Sequence, residues 1–299
     1  MSNKTVKRCI RTILFLVFAG IIVLGILWVR DNTWEKKVLK AEDEIEDSSN
    51  TDVLMTNIYQ KVKDTLYYIK EREHVLLARH GGKEKEVCQN VSEFFIWKER
   101  LYILDSDRSD LFWVSEDGDR HIVMPGVIRA GVINNQLYIV TEEELYSYDC
   151  DKQEGTRIAD LTESEEGGVT ISDTVFVNGY IVRLIPDKGI WVFSVKGKKI
   201  CIYDFPFTVE HRGIYTTLGR HQETIFLSVY RTNSEEIGTC LFTRKENEKN
   251  GIYKYNLKTG EYSKVSEQSG DDLISIGKDL YVTEKGIFIQ KMSKVEFTR

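Results

Sequence analysis

The acidic stretch from Asp105 to Asp110 has residue types and a spacing that suit a calcium site. Asp105, Asp107 and Ser109 stand at alternate positions, and Glu116 follows eleven residues after Asp105, as in the loop of a helix–loop–helix calcium protein. The sixth position, however, is Asp110, where that loop requires glycine. The flanking residues are also strand-like. We therefore predict a polar loop between two strands and assign no metal ligand.

The histidines do not form a catalytic or metal-binding pattern. None stands in a His-Glu-x-x-His motif or a close pair; the residues are His74, His80, His121, His211 and His221. The sequence also lacks nucleophile elbows of the Gly-x-Ser-x-Gly type and phosphate-binding loops of the Gly-x-x-x-x-Gly-Lys-Ser/Thr type. Carboxylates are abundant, and whether two of them converge as in a glycosidase depends on the fold. The sequence thus predicts no catalytic residue and no cofactor.

Cysteines and tryptophans offer two further candidates for chemistry. The cysteine spacing is irregular and has no Cys-x-x-Cys pair, which argues against a zinc ribbon or a thioredoxin-type site; the residues are Cys9, Cys88, Cys150, Cys201 and Cys240. We expect unpaired buried thiols, although an oxidising compartment would permit disulfides among the last four. Most aromatic side chains are expected in the core, and the candidates for facing a carbohydrate are Trp97, Trp113 and Trp191.

Composition points to a packed β domain rather than a nucleic-acid-binding protein. The chain has 299 residues, of which 41% are hydrophobic and 11% aromatic, enough for one large domain or two small ones. Aromatic residues favour strands. The net charge of −6 argues against nucleic acid as a partner, because binding to phosphates requires a basic surface.

An apolar segment near the N-terminus predicts a membrane anchor. Residues 12–29 carry no charge, and about 18 apolar residues is the lower limit for a helix that spans a bilayer. Basic residues precede the segment, so the N-terminus should stay in the cytoplasm; they are Lys4, Lys7, Arg8 and Arg11. A cleaved signal peptide is the alternative, but its apolar core is usually shorter and ends in a small-residue cleavage site.

These features divide the chain into four predicted parts. They are a cytoplasmic basic tail at 1–11, a transmembrane helix at 12–30, a charged linker at 31–52 and an extracytoplasmic β domain at 53–299, with single-pass anchoring in the cell membrane. Val38 and Ile45 lie seven residues apart within the charged run of the linker, which is compatible with a short helix. We expect the linker to be a solvated spacer.

A strand of the type Leu-Tyr-apolar recurs through the β domain. Its clear copies begin at Leu66, Leu101, Leu137 and Leu280, and its weaker copies lie at Tyr180 and Thr224. A short apolar strand precedes most copies, and a second apolar strand, a turn and a more polar strand follow. Asp117-Gly118 and Thr259-Gly260 are examples of that turn, since glycine accepts the positive φ of a tight hairpin. Six units with a period of about 36–45 residues predict a propeller of four-stranded sheets.

These repeats are similar to those of exported bacterial six-bladed propellers of the TolB-like and YWTD-like kind, which include membrane-anchored members. The resemblance covers about residues 53–299 and implies an all-β fold: a six-bladed β-propeller of four-stranded antiparallel blades, preceded by one transmembrane α-helix. An insertion at about residues 231–250 accounts for the longest spacing. Two stacked β domains and a seven-bladed ring remain alternatives.

Three functional hypotheses follow from this layout. The first is a binding or interaction module that presents a loop-lined face to an extracellular peptide, glycan or partner protein. The second is a hydrolase or lyase that acts on the cell envelope, with carboxylates in the central channel. The third is a structural subunit whose membrane helix packs on a partner. The lack of a catalytic motif favours the first.

Overall fold

The fold is known from a computed structural model that describes most of the chain in separate segments. The described residues are 17–23, 34–48, 58–70, 73–161, 173–177, 179–185, 189–203, 214–221, 224–232, 244–245, 250–257, 259–270, 272–276, 279–284 and 287–292. Six antiparallel sheets, called blades 1 to 6 in chain order, account for nearly all of these residues.

Each blade is a meander of consecutive strands, as the alternating apolar pattern and glycine turns predict. Blade 1 comprises β1 (Tyr59–Val62), β2 (Thr65–Lys70), β3 (Val75–His80) and β4 (Lys83–Cys88). Blade 2 comprises β5 (Val91–Trp97), β6 (Arg100–Asp105), β7 (Leu111–Val114) and β8 (Arg120–Met124). Blade 3 comprises β9 (Val127–Ile133), β10 (Gln136–Thr141), β11 (Glu144–Asp149) and β12 (Glu154–Asp160).

The second half of the ring repeats this order with one addition and one shorter sheet. Blade 4 comprises β13 (Asp173–Val177), β14 (Tyr180–Ile185), β15 (Gly189–Ser194) and β16 (Lys199–Tyr203). Blade 5 comprises β17 (Ile214–His221), β18 (Thr224–Thr232), β20 (Gly251–Tyr255) and β21 (Tyr262–Ser266), with the short β19 (Arg244–Lys245) paired to β18. Blade 6 comprises β22 (Asp272–Ile276), β23 (Asp279–Glu284) and β24 (Ile287–Met292).

The prediction of an all-β propeller with four-stranded antiparallel blades is confirmed, but the predicted count of six such blades is wrong. Five blades have four strands in a continuous order, whereas the sixth sheet has three strands within the described residues. The repeat pattern does not reveal this difference because its clearest apolar signals mark the second and third strands of a unit, whereas the fourth strand is more polar. Both of these strands are present in the last sheet, as β23 and β24.

The first strand of each blade lies on the inside of the ring. First strands of neighbouring blades contact one another: β1 with β5, β9 with β13, β13 with β17, and β17 with β22. The ring also closes, because the Tyr59 hydroxyl of β1 donates a hydrogen bond to the Ser275 carbonyl of β22 at 3.1 Å. Ile276 and Tyr281 of blade 6 share a buried cluster with Leu66 and Ile69 of blade 1.

Apolar side chains fill the interfaces between blades. Phe95 and Tyr102 of blade 2 pack with Leu137 and Ile139 of blade 3, and equivalent clusters join blades 3 and 4, 4 and 5, and 5 and 6. Each fully buried aliphatic or aromatic side chain contributes about 1.5–3 kcal/mol. A four-stranded sheet has two faces and cannot bury the apolar side chains of both faces alone. Stacking on both neighbouring blades buries them.

Part of the predicted linker packs onto this ring. The seam helix (Trp34–Lys40) is followed by a short 3₁₀ turn (Glu42–Glu44), and Val38 and Ile45 are buried beside blade 1. Lys37 lies over the Tyr281 ring at 6.0 Å. The short charged helix expected here is therefore present, and residues 34–48 belong to the folded body rather than to a solvated spacer.

The predicted membrane segment is described in part. Residues 17–23 are helical, whereas residues 12–16 and 24–30 of the predicted span lie outside the described residues. In the described portion of the chain, no helix has both the length and the apolar character needed to cross a bilayer.

Gly197 should be essential for close packing of blades 3 and 4. It has a φ of +75°, and a Cβ there would lie 2.0 Å from the Cβ of Ala159. We expect Gly197→Ala to lower the free energy of unfolding by about 2–4 kcal/mol, because it adds overlap between blades to backbone strain. Urea unfolding followed by circular dichroism measures the change.

Gly179 provides the matched control for this substitution. Its φ of +74° is nearly the same, but no atom lies within 4 Å of the position that a Cβ would occupy there. Gly179→Ala should therefore cost only the backbone strain, about 1 kcal/mol. An equal loss of the free energy of unfolding in the two variants would show that the contact between Gly197 and Ala159 is not tight.

Candidate binding site at the loop-bearing face

The two faces of the ring carry different kinds of connection. In an antiparallel meander, the connections from first to second strand and from third to fourth strand lie on one face, which we call the turn face. Its turns are short and several have positive φ, as at Lys98, Glu99, Asn134 and Asn135. The other connections leave from strand ends on the opposite face, which we call the loop-bearing face. Residues 161–172 separate β12 from β13 in the sequence, and residues 204–213 separate β16 from β17.

Side chains from neighbouring blades bond to the backbone of the inner strands. Gln60 of β1 donates from Nε2 to the Ile96 carbonyl at 3.0 Å and accepts from the Ile96 N–H at 2.7 Å. Its side chain is nearly fully buried. An inner strand has one edge without a partner strand, and its backbone groups need other hydrogen bonds. Gln60 supplies two of them to β5.

Arg129 links the inner strands of three blades near the loop-bearing face. It lies on β9 of blade 3, donates from Nε to the Thr174 carbonyl of β13 at 2.9 Å, and forms an ion pair through Nη1 with Glu93 of β5. The side chains of Arg129 and Glu93 are 18% and 20% exposed. The pair is therefore partly shielded from water.

Arg183 is the most unusual buried residue of the described chain. It lies on β14 opposite Thr174 in the strand register and is 0% exposed. Nη2 donates to the Glu142 carbonyl at 2.8 Å, whereas Nε and Nη1 have no hydrogen-bond partner among the described residues. Burial lowers the pKa of Arg183 to about 10, against an opposing effect of the Glu142 charge. The cation thus lacks the bonds that usually offset desolvation.

The Asp105 segment is a polar loop, as predicted, and the residues considered as metal ligands do not converge. Asp105 Oδ1 accepts from the Asp107 and Arg108 backbone N–H groups at 2.9 and 3.2 Å, and Oδ2 accepts from Arg120 Nη1 at 2.9 Å. Glu116 lies in the turn after β7, at the end of that strand opposite Asp105. Over the residues that the structure covers, no group of three or more His, Cys, Asp or Glu side chains could hold a metal.

The other residues singled out from the sequence are spread over the ring. Trp191 is buried between blades 3 and 4, and Trp113 stacks on His121 at 4.1 Å. His74 directly precedes β3 and His80 is its last residue, so they lie at opposite ends of the strand. His211 lies outside the described residues, and only the backbone of His221 is described. These residues therefore do not build one site.

Two of the five cysteines have described side chains. Cys88 and Cys150 are free thiols. The Tyr102 hydroxyl donates to Cys150 Sγ at 3.1 Å, and burial raises the pKa of Cys150 despite that bond and the nearby Arg100. Cys9 and Cys240 lie outside the described residues, and Cys201 is described by its backbone alone.

The functional candidates of the structure are residues that the sequence pattern did not single out: Gln60, Glu93, Arg129 and Arg183. The signal in the sequence was a charged or amide side chain within an apolar strand. Arg129 stands in Val-Ile-Arg-Ala-Gly-Val, and Arg183 in Ile-Val-Arg-Leu-Ile. Such residues are rarely buried without a specific partner.

Comparisons with known proteins yield distant structural similarities. No protein-family model matches the sequence, and no curated protein matches it significantly. The fold is similar to BamB from Moraxella catarrhalis, with 11% identity over 79% of this chain and 71% of that chain and a TM-score of 0.43. It is also similar to an oligogalacturonate lyase in complex with manganese, with 10% identity over 71% and 64% of the two chains and a TM-score of 0.43.

A third similar structure is much longer than this chain. It is PorZ, a surface component of the type-IX secretion system of Porphyromonas gingivalis, with 12% identity and a TM-score of 0.46. The match covers 78% of this chain but 32% of PorZ, so the chain spans about a third of that protein's length.

Gln60 should stabilise the ring through the Ile96 backbone. Gln60→Leu removes both hydrogen bonds and leaves a buried N–H and C=O unsatisfied, so we expect a loss of about 2–4 kcal/mol in the free energy of unfolding. The surface variant Gln89→Leu, which removes a bond to exposed Glu86, should change it by less than about 0.5 kcal/mol. A loss below about 1 kcal/mol for Gln60→Leu would contradict this role.

Cys150 should react slowly with alkylating agents in the folded protein. Because its pKa is raised on folding, the thiol contributes stability that is present below the unfolded pKa of about 8.5 and is lost as the pH rises through the folded pKa. The pH profile of iodoacetamide labelling, read on the Cys150 peptide by mass spectrometry, should have its midpoint above that of the urea-unfolded chain. Identical midpoints would exclude the burial effect.

Proposed function

We propose that the protein is a membrane-anchored extracytoplasmic β-propeller that binds a peptide, glycan or partner protein at its loop-bearing face. The observation that carries this proposal is the asymmetry of the ring. Short turns join the strands at one face, whereas the longest stretches of sequence between blades leave from strand ends at the other face, and Glu93 and Arg129 lie toward that end of the inner strands. Loops on a rigid scaffold are where binding residues concentrate, and ring-shaped propellers present such loops around a central channel.

The described inner-strand side chains do not supply the carboxylate pair that the alternative hydrolase or lyase needs. Glu93 is the one carboxylate among the inner-strand side chains that the structure describes, and it is bonded to Arg129. Glycoside hydrolysis requires two carboxyl groups about 5–10 Å apart. The described residues do not supply that pair from the inner strands.

The membrane anchor is part of the proposal and rests on the N-terminal segment. Residues 17–23 are helical and uncharged, and their large side chains remain exposed, with Phe18 at 64% and Ile21 at 61%. A cluster of exposed apolar side chains in a soluble environment is unfavourable. Insertion of this segment into lipid would remove the cost, and the preceding basic residues favour a propeller outside the cytoplasm.

Site-specific photo-crosslinking in intact cells tests the binding face. A benzoylphenylalanine at exposed positions Arg108, Glu143 or Gln268 of the loop-bearing face should give an adduct of discrete mass. The same probe at Lys63, Asn135 or Lys152 of the turn face serves as the matched control and should give none. Adducts confined to the turn face, or absent from both faces, would contradict the proposal.

Membrane extraction tests the anchor independently. Full-length protein should remain in the membrane fraction after a carbonate wash at high pH, because the apolar segment is held by lipid and not by charge. Protease added to intact cells or spheroplasts should digest the propeller. Release by carbonate, or full protection from protease, would show that the anchor or its orientation is wrong.

A further inference from the structure

Arg183 carries a charge for which the described protein provides no counter-ion in hydrogen-bonding contact. Its side chain is fully buried, yet only Nη2 has a partner among the described residues, the Glu142 carbonyl. The Glu142 side chain itself is exposed and acts on Arg183 only through its charge. Removing one partner from a buried ion pair is strongly unfavourable, and the arrangement of Arg183 is the equivalent of such a broken pair.

A second arginine lies beside the same strand residue. Arg129 donates to the Thr174 carbonyl, and Thr174 is the register partner of Arg183. Both arginines, which we call the arginine pair, are thus linked to the same residue of β13, Arg129 by a hydrogen bond and Arg183 by the strand register. Arg129 also forms an ion pair with Glu93 of β5.

The arginine pair lies at the end of the blade 3–blade 4 interface that faces the loops. Thr174 is near the start of β13, and Glu142 lies in the connection between β10 and β11. The start of β13 and the β10–β11 connection both belong to the loop-bearing face. Arg183 Nη2 bonds to the Glu142 carbonyl, and Arg129 and Glu93 are partly exposed. A ligand at this face would approach through the partly exposed Arg129, and its contact with the fully buried Arg183 requires a local opening of the interface between blades 3 and 4.

We propose that the arginine pair binds an oxyanion, a carboxylate or phosphate group, with Arg183 as the main donor and Arg129 as the second. Guanidinium groups bind both anions through charge-assisted hydrogen bonds. Acidic glycans and peptide carboxylates offer the first group, and phosphorylated ligands or free phosphate offer the second. This inference deepens the proposed function, and rests on it only for the position of the ligand at the loop-bearing face.

Thermal unfolding and titration calorimetry of the full-length protein in non-ionic detergent test the proposal. Sodium acetate and sodium phosphate are the two probes, with sodium chloride at equal ionic strength as the reference. A ligand that binds only the folded state raises the unfolding temperature with its concentration. A rise with acetate alone would assign a carboxylate ligand, and a rise with phosphate alone a phosphate ligand. No rise with either salt overturns the proposal.

Substitutions assign the effect to Arg183. Arg183→Met should weaken binding of the active probe at least about 10-fold, as expected for loss of charge-assisted bonds, while the folded state without ligand should be no less stable because a buried charge is removed. Arg157→Met, at an arginine that is 51% exposed, is the matched control and should bind like the wild type. Equal binding by Arg183→Met and the wild type contradicts the proposal.

A third variant keeps the test decisive if Arg183→Met does not fold. Arg183→Lys retains the charge but replaces the planar set of donors with one ammonium group, so affinity should fall about 5-fold or more. Unchanged affinity in folded Arg183→Lys also contradicts the assignment. If the oxyanion binds but photo-crosslinking finds no partner, the proposed function fails while this inference stands. If photo-crosslinking finds a partner but neither oxyanion binds, this inference alone is contradicted.

Discussion

The inner edges of the blades impose the constraint on which the ring depends. A first strand pairs with one neighbour within its own sheet, so the backbone N–H and C=O groups of its other edge face the middle of the molecule. Water or side chains must satisfy them. In this protein the adjacent blade does so at several points: Gln60 bonds to Ile96, Arg129 to Thr174, and Tyr59 to Ser275. The same bonds that satisfy the edges also join the blades.

Apolar packing and these polar bonds have separate roles. The interblade clusters bury large side chains and provide most of the favourable free energy, but apolar contact tolerates small shifts in register and orientation. A directed hydrogen bond from a buried amide or guanidinium group does not tolerate such shifts. The reciprocal contact between Ser228 and Gly270, with 2.8 and 2.9 Å bonds, holds blade 5 in the same way against the connection that leads into blade 6. Arg183 departs from this rule because Nε and Nη1 have no partner among the described residues, which is the basis for assigning it to a ligand.

The sequence pattern was sufficient for the strands that carry strong alternation and clear turns. The Leu-Tyr copies become the second strands, and Gly118 and Gly260 have the positive φ expected of their turns. It was not sufficient for β1 and β17, since Tyr59–Val62 and Ile214–His221 contain Gln, Lys, Thr and Arg and lack a regular apolar period. Lys98 and Glu99 also form a turn with positive φ without glycine, which turn preferences do not predict.

The candidate site could not be derived from spacing along the chain. Arg129 and Glu93 are separated by 36 residues and Arg183 and Glu142 by 41, so these contacts exist only after blades stack. A metal loop such as Asp105 to Glu116 is readable from local spacing, but there the structure separates the residues to opposite ends of β7. Which side chains of the inner strands meet therefore depends on which blades become neighbours.

Hydrogen exchange at the Ile96 amide tests the bonding of the inner edges most directly. If Gln60 accepts this N–H as the structure shows, at 2.7 Å, the amide should exchange as slowly as those within the β5–β6 ladder, since its release requires opening of the blade 1–blade 2 contact. Exchange at the rate of an exposed edge amide would contradict the view that neighbouring blades close each other's inner edges.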